Sequence, residues 1–168
     1  ISGGHNHYVC GYAGSVAGGL YNSAFGSHST IGGGYVNRAL SDYTAIGGGY
    51  YVSATTPYST IGGGGYNWAA GYHTTVAGGA YNYVYSTFSV INGGQSNYIY
   101  TPYNTVDGGH NHYIYAYGGT VGGGMYGSVY GVYGYVGGGW YIHTFGDYTT
   151  VGGGYNNWNY GDTAVIGG

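Results

Sequence analysis

The stretch Ile31-Gly32-Gly33-Gly34-Tyr35-Val36-Asn37-Arg38-Ala39-Leu40-Ser41-Asp42-Tyr43-Thr44-Ala45, followed at once by Ile46-Gly47-Gly48-Gly49, decides the reading of the whole chain. It opens and reopens on one beat: Ile or Val, a small or polar residue, then Gly-Gly. Outward from this stretch the beat falls at Ile1, Val16, Ile61, Val76, Ile91, Val106, Val121, Val136, Val151 and Ile166. Every interval is fifteen residues, so the 168 residues hold eleven full units and the first three residues of a twelfth. A fixed period over a whole chain marks a repeat architecture. Residues 1–168 therefore read as one array, with units starting at 1, 16, 31, 46, 61, 76, 91, 106, 121, 136 and 151 and a partial unit at 166. Positions within a unit are counted below from the Ile or Val as position 1.

Composition narrows the class. Gly supplies 42 of 168 residues, against an average near 7%. Charged residues make up 3%, where about 25% is usual. Only Arg38, Asp42, Asp107, Asp147 and Asp162 carry charge, for a net −3. There is no basic footprint for nucleic acid, no polybasic patch for anionic lipid, and no apolar run near the ~20 residues of a membrane span. Disordered chains are poor in aromatics, but this one carries 27 Tyr, 3 Trp and 3 Phe, all in register. The chain opens and closes on the beat, without the polar caps that solenoids need. It reads as an excerpt of a longer array.

The unit itself reads as β. Position 1 is Ile or Val and position 3 is Gly in all twelve occurrences, while position 9 is mostly small or β-branched. Around positions 1 and 9 the pattern alternates with period 2, as in Tyr83-Val84-Tyr85 and Tyr98-Ile99-Tyr100, the mark of strands. The alternation predicts one strand over positions 13 to 3 and a second over positions 7 to 11. The paired Gly residues, such as Gly33-Gly34, Gly48-Gly49 and Gly63-Gly64, are the expected bend between them, because Gly takes positive φ without steric cost. A second bend is expected near positions 11 and 12. Pro57 and Pro102 both stand at position 12, where the missing N–H does no harm. Two strands and two bends per unit define an all-β fold, a β-solenoid of about eleven coils stacked roughly 4.8 Å apart. Its expected core is the ladder Ile1, Val16, Ile31, Ile46, Ile61, Val76, Ile91, Val106, Val121, Val136, Val151 and Ile166, with position 9 facing it.

The aromatics fall in columns. Position 10 runs Tyr85, Tyr100, Tyr115, Tyr130, Phe145, Tyr160 without a break, and positions 6, 8 and 13 carry further rings. They are expected to stack from coil to coil and to bury a flank between chains, or else to grip sugars, since Tyr is rigid, flat and able to hydrogen-bond. The lone Cys10 reads as a small apolar residue of an inner or interface column, with an interchain disulfide as the alternative. His5 and His7, and again His110 and His112, are weak candidates for a shared metal; with no Cys beside them a four-ligand zinc set is lacking. Asp147 and Asp162 stand at the same position of adjacent units and read as solvated turn residues, because Ca²⁺ takes six to eight oxygens. No catalytic set, cofactor motif or phosphate loop emerges, so no enzyme and no cofactor are expected.

Read across residues 31–60, the pattern Ile-Gly-Gly-Gly-Tyr-x-Asn-x-Ala-x-Ser/Gly-x-Tyr-Ser/Thr-Thr/Ala resembles the repeats of trimeric autotransporter adhesin heads, the YadA-like left-handed β-roll, and related arrays in bacterial surface proteins and phage tail fibres. The resemblance covers the whole chain. It implies a left-handed roll, a parallel homotrimer, an extracellular or cell-surface location (or a virion fibre), and an adhesive or stalk role. The chain departs from it by placing Tyr, Trp or Phe where such repeats usually carry polar residues. The expected function is a structural or adhesive extracellular fibre, partnered by itself as trimer or filament and by surface glycans or a host surface. A phage tail-fibre shaft and an ice-binding solenoid are the alternatives. Positions 13 and 15 are never both Thr, so the flat Thr-x-Thr ladder expected of ice binders is absent.

Overall fold

A computed structural model describes all residues from Ile1 to Gly168. The chain winds through 22 short strands, β1 (Tyr8–Val9) to β22 (Val165–Ile166), with no helix. Odd-numbered strands form one parallel sheet and even-numbered strands a second, each of 11 strands in sequence order. We call them sheet A and sheet B. Register is strict: Val84 pairs with Ile99 in sheet A and Val76 with Ile91 in sheet B, one unit apart in each case. The molecule is thus a β-solenoid of about eleven coils.

The strands are shorter than the alternation predicts. Most cover positions 8–9 or 15–1 only. The reason lies in the bends, which consume more of the unit than paired Gly alone would. The second Gly of each beat is left-handed, as at Gly79 with φ +82°, but Gly78 before it is not. A Cβ on Gly79 would stand 2.1 Å from the Gly94 carbonyl oxygen, whereas one on Gly78 would meet nothing within 4 Å. Position 4 therefore requires Gly and position 3 does not. Two further positions are left-handed without being Gly. Position 6 (Tyr51, Tyr66, Tyr81 and others) and position 13 (Tyr43, Tyr58, Phe88 and others) have φ between about +52° and +62°. Such a conformation costs a non-Gly residue of order 1 kcal/mol, and the stacked coils hold it in place.

These two sites give the coil an internal symmetry. After position 6 come an inward polar residue at 7, an outward residue at 8 and an inward apolar residue at 9. After position 13 the same series runs through 14, 15 and 1 of the next unit. The apolar core follows from it: Val16, Ile31, Ile46, Ile61, Val76, Ile91, Val106, Val121, Val136 and Val151 from sheet B interleave with Ala24, Ala39, Ala54, Ala69, Val84, Ile99, Ile114 and Val129 from sheet A, all buried. Ile1 is the correction to the expected ladder: in the first described coil it is covered from one side only and is 68% exposed, and Ile166 is only partly buried.

The inward polar residues hold the bends. Asn82 donates from Nδ2 to the Gly78 carbonyl within its own coil and to the Gly94 carbonyl of the next, both at 3.0 Å. Its Oδ1 accepts the Asn97 N–H at 3.1 Å. Asn22, Asn37, Asn67 and Asn97 make the same donations. The second bend uses a single hydroxyl donation, Thr74 Oγ1 to the Gly71 carbonyl at 2.7 Å and Ser29 Oγ to that of Gly26 at 2.6 Å. Buried polar groups must be paired, and this pairing lets so thin a core carry so many. No backbone acceptor takes the position-12 N–H, which is why Pro57 and Pro102 sit there without loss.

Candidate functional site

The candidate site is the outer face of sheet A. Alternation along a strand sends positions 8 and 10 outward once position 9 is buried, and parallel in-register pairing places equal positions directly above one another. Tyr85, Tyr100, Tyr115, Tyr130, Phe145 and Tyr160 therefore form one continuous stack. Ring centroids along it lie 4.7–5.3 Å apart and planes are within 11° of parallel. Tyr83, Tyr98 and Tyr113 form a second stack at 5.0–5.1 Å. The two stacks touch sideways, with Tyr98 and Tyr100 6.3 Å apart and nearly coplanar. At the coil's corner, Tyr51, Tyr66 and Tyr81 stack at position 6. On the opposite corner Tyr43, Tyr58, His73, Phe88 and Tyr103 stack at position 13.

Stacking covers ring faces but leaves ring edges and hydroxyls outward, so Tyr100 is still 40% exposed. Its surroundings are apolar enough that burial, with the neighbouring Tyr115 as a smaller contribution, pushes its hydroxyl up to about 12. Tyr83, Tyr85, Tyr98, Tyr113 and Tyr115 shift upward for the same first reason.

The other candidates separate. His5 is exposed and His7 half-buried, and His110 is half-buried while His112 is wholly buried. The extended geometry that would aim each pair at one ion is broken by the left-handed Asn6 and Asn111 between them. No group of three His, Cys, Asp or Glu side chains comes together. Position 7 instead uses His as a substitute for Asn. His112 Nδ1 accepts the Gly127 N–H at 2.9 Å, as His7 Nδ1 accepts that of Asn22 at 3.2 Å. The proton then belongs on Nε2, which is buried without a partner in both residues. Burial pushes the His112 imidazole down to about 4. Cys10 corrects the expectation of an inner column: it is exposed at position 10, in line with the aromatic stack. The position-12 carboxylates do more than solvate a turn. Asp42, Asp147 and Asp162 each accept the N–H of the residue one coil earlier, at 2.7–2.9 Å.

Sequence reasoning missed two features of this face. One is the left-handed backbone under the position-6 and position-13 rings. The other is a pair of pockets in the outer face of sheet A, one at Ser128, where the position-8 column of rings is interrupted for a single coil, and one at Ser53, where the run Ser23, Arg38, Ser53 gives way to Trp68. The only sequence signal for the Ser128 gap is a Ser where both neighbouring units carry a ring, and that has no meaning until the units are stacked.

No protein-family model matches this chain, and no characterised protein matches it.

Proposed function

We propose that the chain is a segment of a self-assembling extracellular fibre, structural or adhesive, with the sheet A face as the surface through which it meets other chains or a glycan-bearing surface. The carrying observation is the unbroken stack from Tyr85 to Phe145, exposed along its outer edge and free of charge. Contiguous exposed apolar patches of that kind mark interaction sites, and near-neutral surfaces promote association. Placement outside the cell, in the manner of an adhesin head or a tail-fibre shaft, follows from the repeat's resemblance. The homotrimer that the resemblance implies and an open filament of rods both use this face. The chain acts by shape and contact, without catalysis.

Mass per length of the assembled protein tests the reading. Rods that gather into trimers or filaments, and that disperse when Tyr100 and Tyr115 are both changed to Ser, support it. A protein that sediments as a monomer at high concentration sinks it. Sheet B favours the ice-binding alternative in one respect: Thr60, Thr75, Thr105, Thr120 and Thr150 repeat in a column on its outer side. Thermal hysteresis that falls when Thr105 and Thr120 are enlarged to Tyr is the result that would move the assignment there.

A further inference from the structure

The position-8 column is interrupted at Ser128 in a particular way. Above it, Tyr113 stacks on Tyr98 with centroids 5.0 Å apart and planes 2° from parallel, and its other face looks toward the level of Ser128. Below it stands His143, whose ring packs against Trp158 at 4.5 Å. The columns on either side continue past this level. Tyr126 and Tyr141 stack at 4.7 Å on one flank, and Tyr115 and Tyr130 at 5.1 Å on the other. The floor is backbone of the two longest strands, β17 (Met125–Val129) and β19 (Trp140–Thr144), with Ser128 buried in it. These strands are longer because Gly127 and Ile142 stand where most coils carry the inward Asn, so pairing runs on from Met125↔Trp140 to Val129↔Thr144. The result is a walled gap of about 280 Å³.

The gap is one ring deep along the axis. Coils repeat at about 4.8 Å, so a ring at the level of Ser128 lies one rung from Tyr113 and one rung from His143. That is within the 4.5–7 Å at which aromatic pairs attract. A cavity of about 150 Å³ already holds benzene. Every lining side chain is Tyr, Ser, Asn or His, and burial lowers the His143 pKa, which favours its neutral form. We propose that the Ser128 gap binds one free, uncharged planar aromatic molecule of one or two fused rings, of phenol to naphthol size, which enters as the rung the column lacks. A ring from the stacks of a second copy suits the gap poorly, because its neighbours one rung above and below would strike Tyr113 and His143. The gap at Ser53 is the internal comparison. It is half the size, about 140 Å³, and Trp68 leans across it to donate Nε1–H to Thr55 Oγ1 at 3.2 Å.

The test is titration of the full chain with 2-naphthol, read by fluorescence anisotropy. We expect one saturable site per chain. Ser128→Tyr supplies the lacking ring and should weaken binding by about tenfold or more, the loss of two stacking contacts. Ser53→Tyr should change it less than about twofold. Equal binding by Ser128→Tyr with an unchanged circular dichroism spectrum overturns the proposal. If that variant does not fold, nuclear Overhauser contacts from bound 2-naphthol on the wild-type chain decide. Contacts to Tyr113 and Tyr130 ring protons support the site; contacts only elsewhere, or none, overturn it.

Discussion

Sheet A and sheet B share one core and one backbone recipe, yet they present different surfaces and are held by unequal bends. Each half-coil begins with a left-handed residue and then alternates in, out, in. From Trp68 onward sheet A faces outward mainly with stacked Tyr, Trp and Phe, after early coils that carry Ser23, Arg38, Leu40 and Ser53 there, while sheet B faces outward mainly with Thr, Ser and Ala. The bend entering sheet A has two left-handed residues per coil and, at Asn22, Asn37, Asn67, Asn82 and Asn97, an Asn making three hydrogen bonds. The bend entering sheet B has one left-handed residue and one hydroxyl. The difference teaches that fold and surface are written at separate positions. Positions 1, 4, 7, 9 and 14 specify the coil, and positions 8, 10 and 15 are free to carry an interaction.

The sharpest test of that division lies in the bend before sheet A. Gly79→Ala places a Cβ 2.1 Å from the Gly94 carbonyl oxygen at φ +82°, and should lower stability by at least about 3 kcal/mol. Gly78→Ala, one residue earlier with open space around it, should change stability by less than about 0.5 kcal/mol. Equal losses in urea unfolding would show that both Gly residues of the beat are needed, and the account of the bend would fail.

Next come the unequal polar columns. Asn82→Ala removes three hydrogen bonds and should cost about 3 kcal/mol, whereas Thr74→Ala removes one and should cost about 1 kcal/mol. His112 sharpens the same point through pH. Its folded pKa of about 4 lies below the unfolded value of about 6.5. Its contribution is fully present above pH 6.5 and is lost as pH falls through 4, because only the unfolded chain takes up the proton in that window. The loss is about 3 kcal/mol. His112→Asn should restore the polar column and abolish this dependence in acid unfolding curves.

The outer faces should differ more modestly. Tyr100→Ser breaks two stacked pairs and should cost about 1–2 kcal/mol, while Thr105→Ser on sheet B should stay within about 0.5 kcal/mol. The smallest effect is spectroscopic. The folded Tyr100 hydroxyl should ionise only at about pH 12, with burial also raising Tyr85 and Tyr115 above the ordinary tyrosine value, and the stability that Tyr100 contributes should fade as pH rises from the unfolded value of about 10 toward 12. Ultraviolet titration of native and unfolded chain would separate the two curves; coincident curves would mean the rings are not stacked.

Much of this was legible before folding. Ile31, Ile46 and Ile61 at fixed spacing could only be a stacked aliphatic ladder, and Tyr85 to Tyr160 could only be an aromatic one. The left-handed sites were not legible, because Val36, Tyr66 and Phe88 are residues that ordinarily avoid that conformation. Neighbouring coils impose it, and a sequence scan sees one coil at a time. Asn37 and its equivalents were visible as a regularity, but their purpose needs the carbonyl of the following coil. Ser128 looked like an ordinary polar substitution until Tyr113 and His143 stood on either side of it.

The strict register has one more consequence. Each coil touches only the one before and the one after, and its inward ladder is nearly the same at every level. Duplicating or excising a whole fifteen-residue unit leaves every remaining interface unchanged in kind, whereas adding a single residue turns one strand inside out. Rod length can therefore drift in quanta of about 4.8 Å without redesign of the interior, so reach is a property this protein can alter by copying itself.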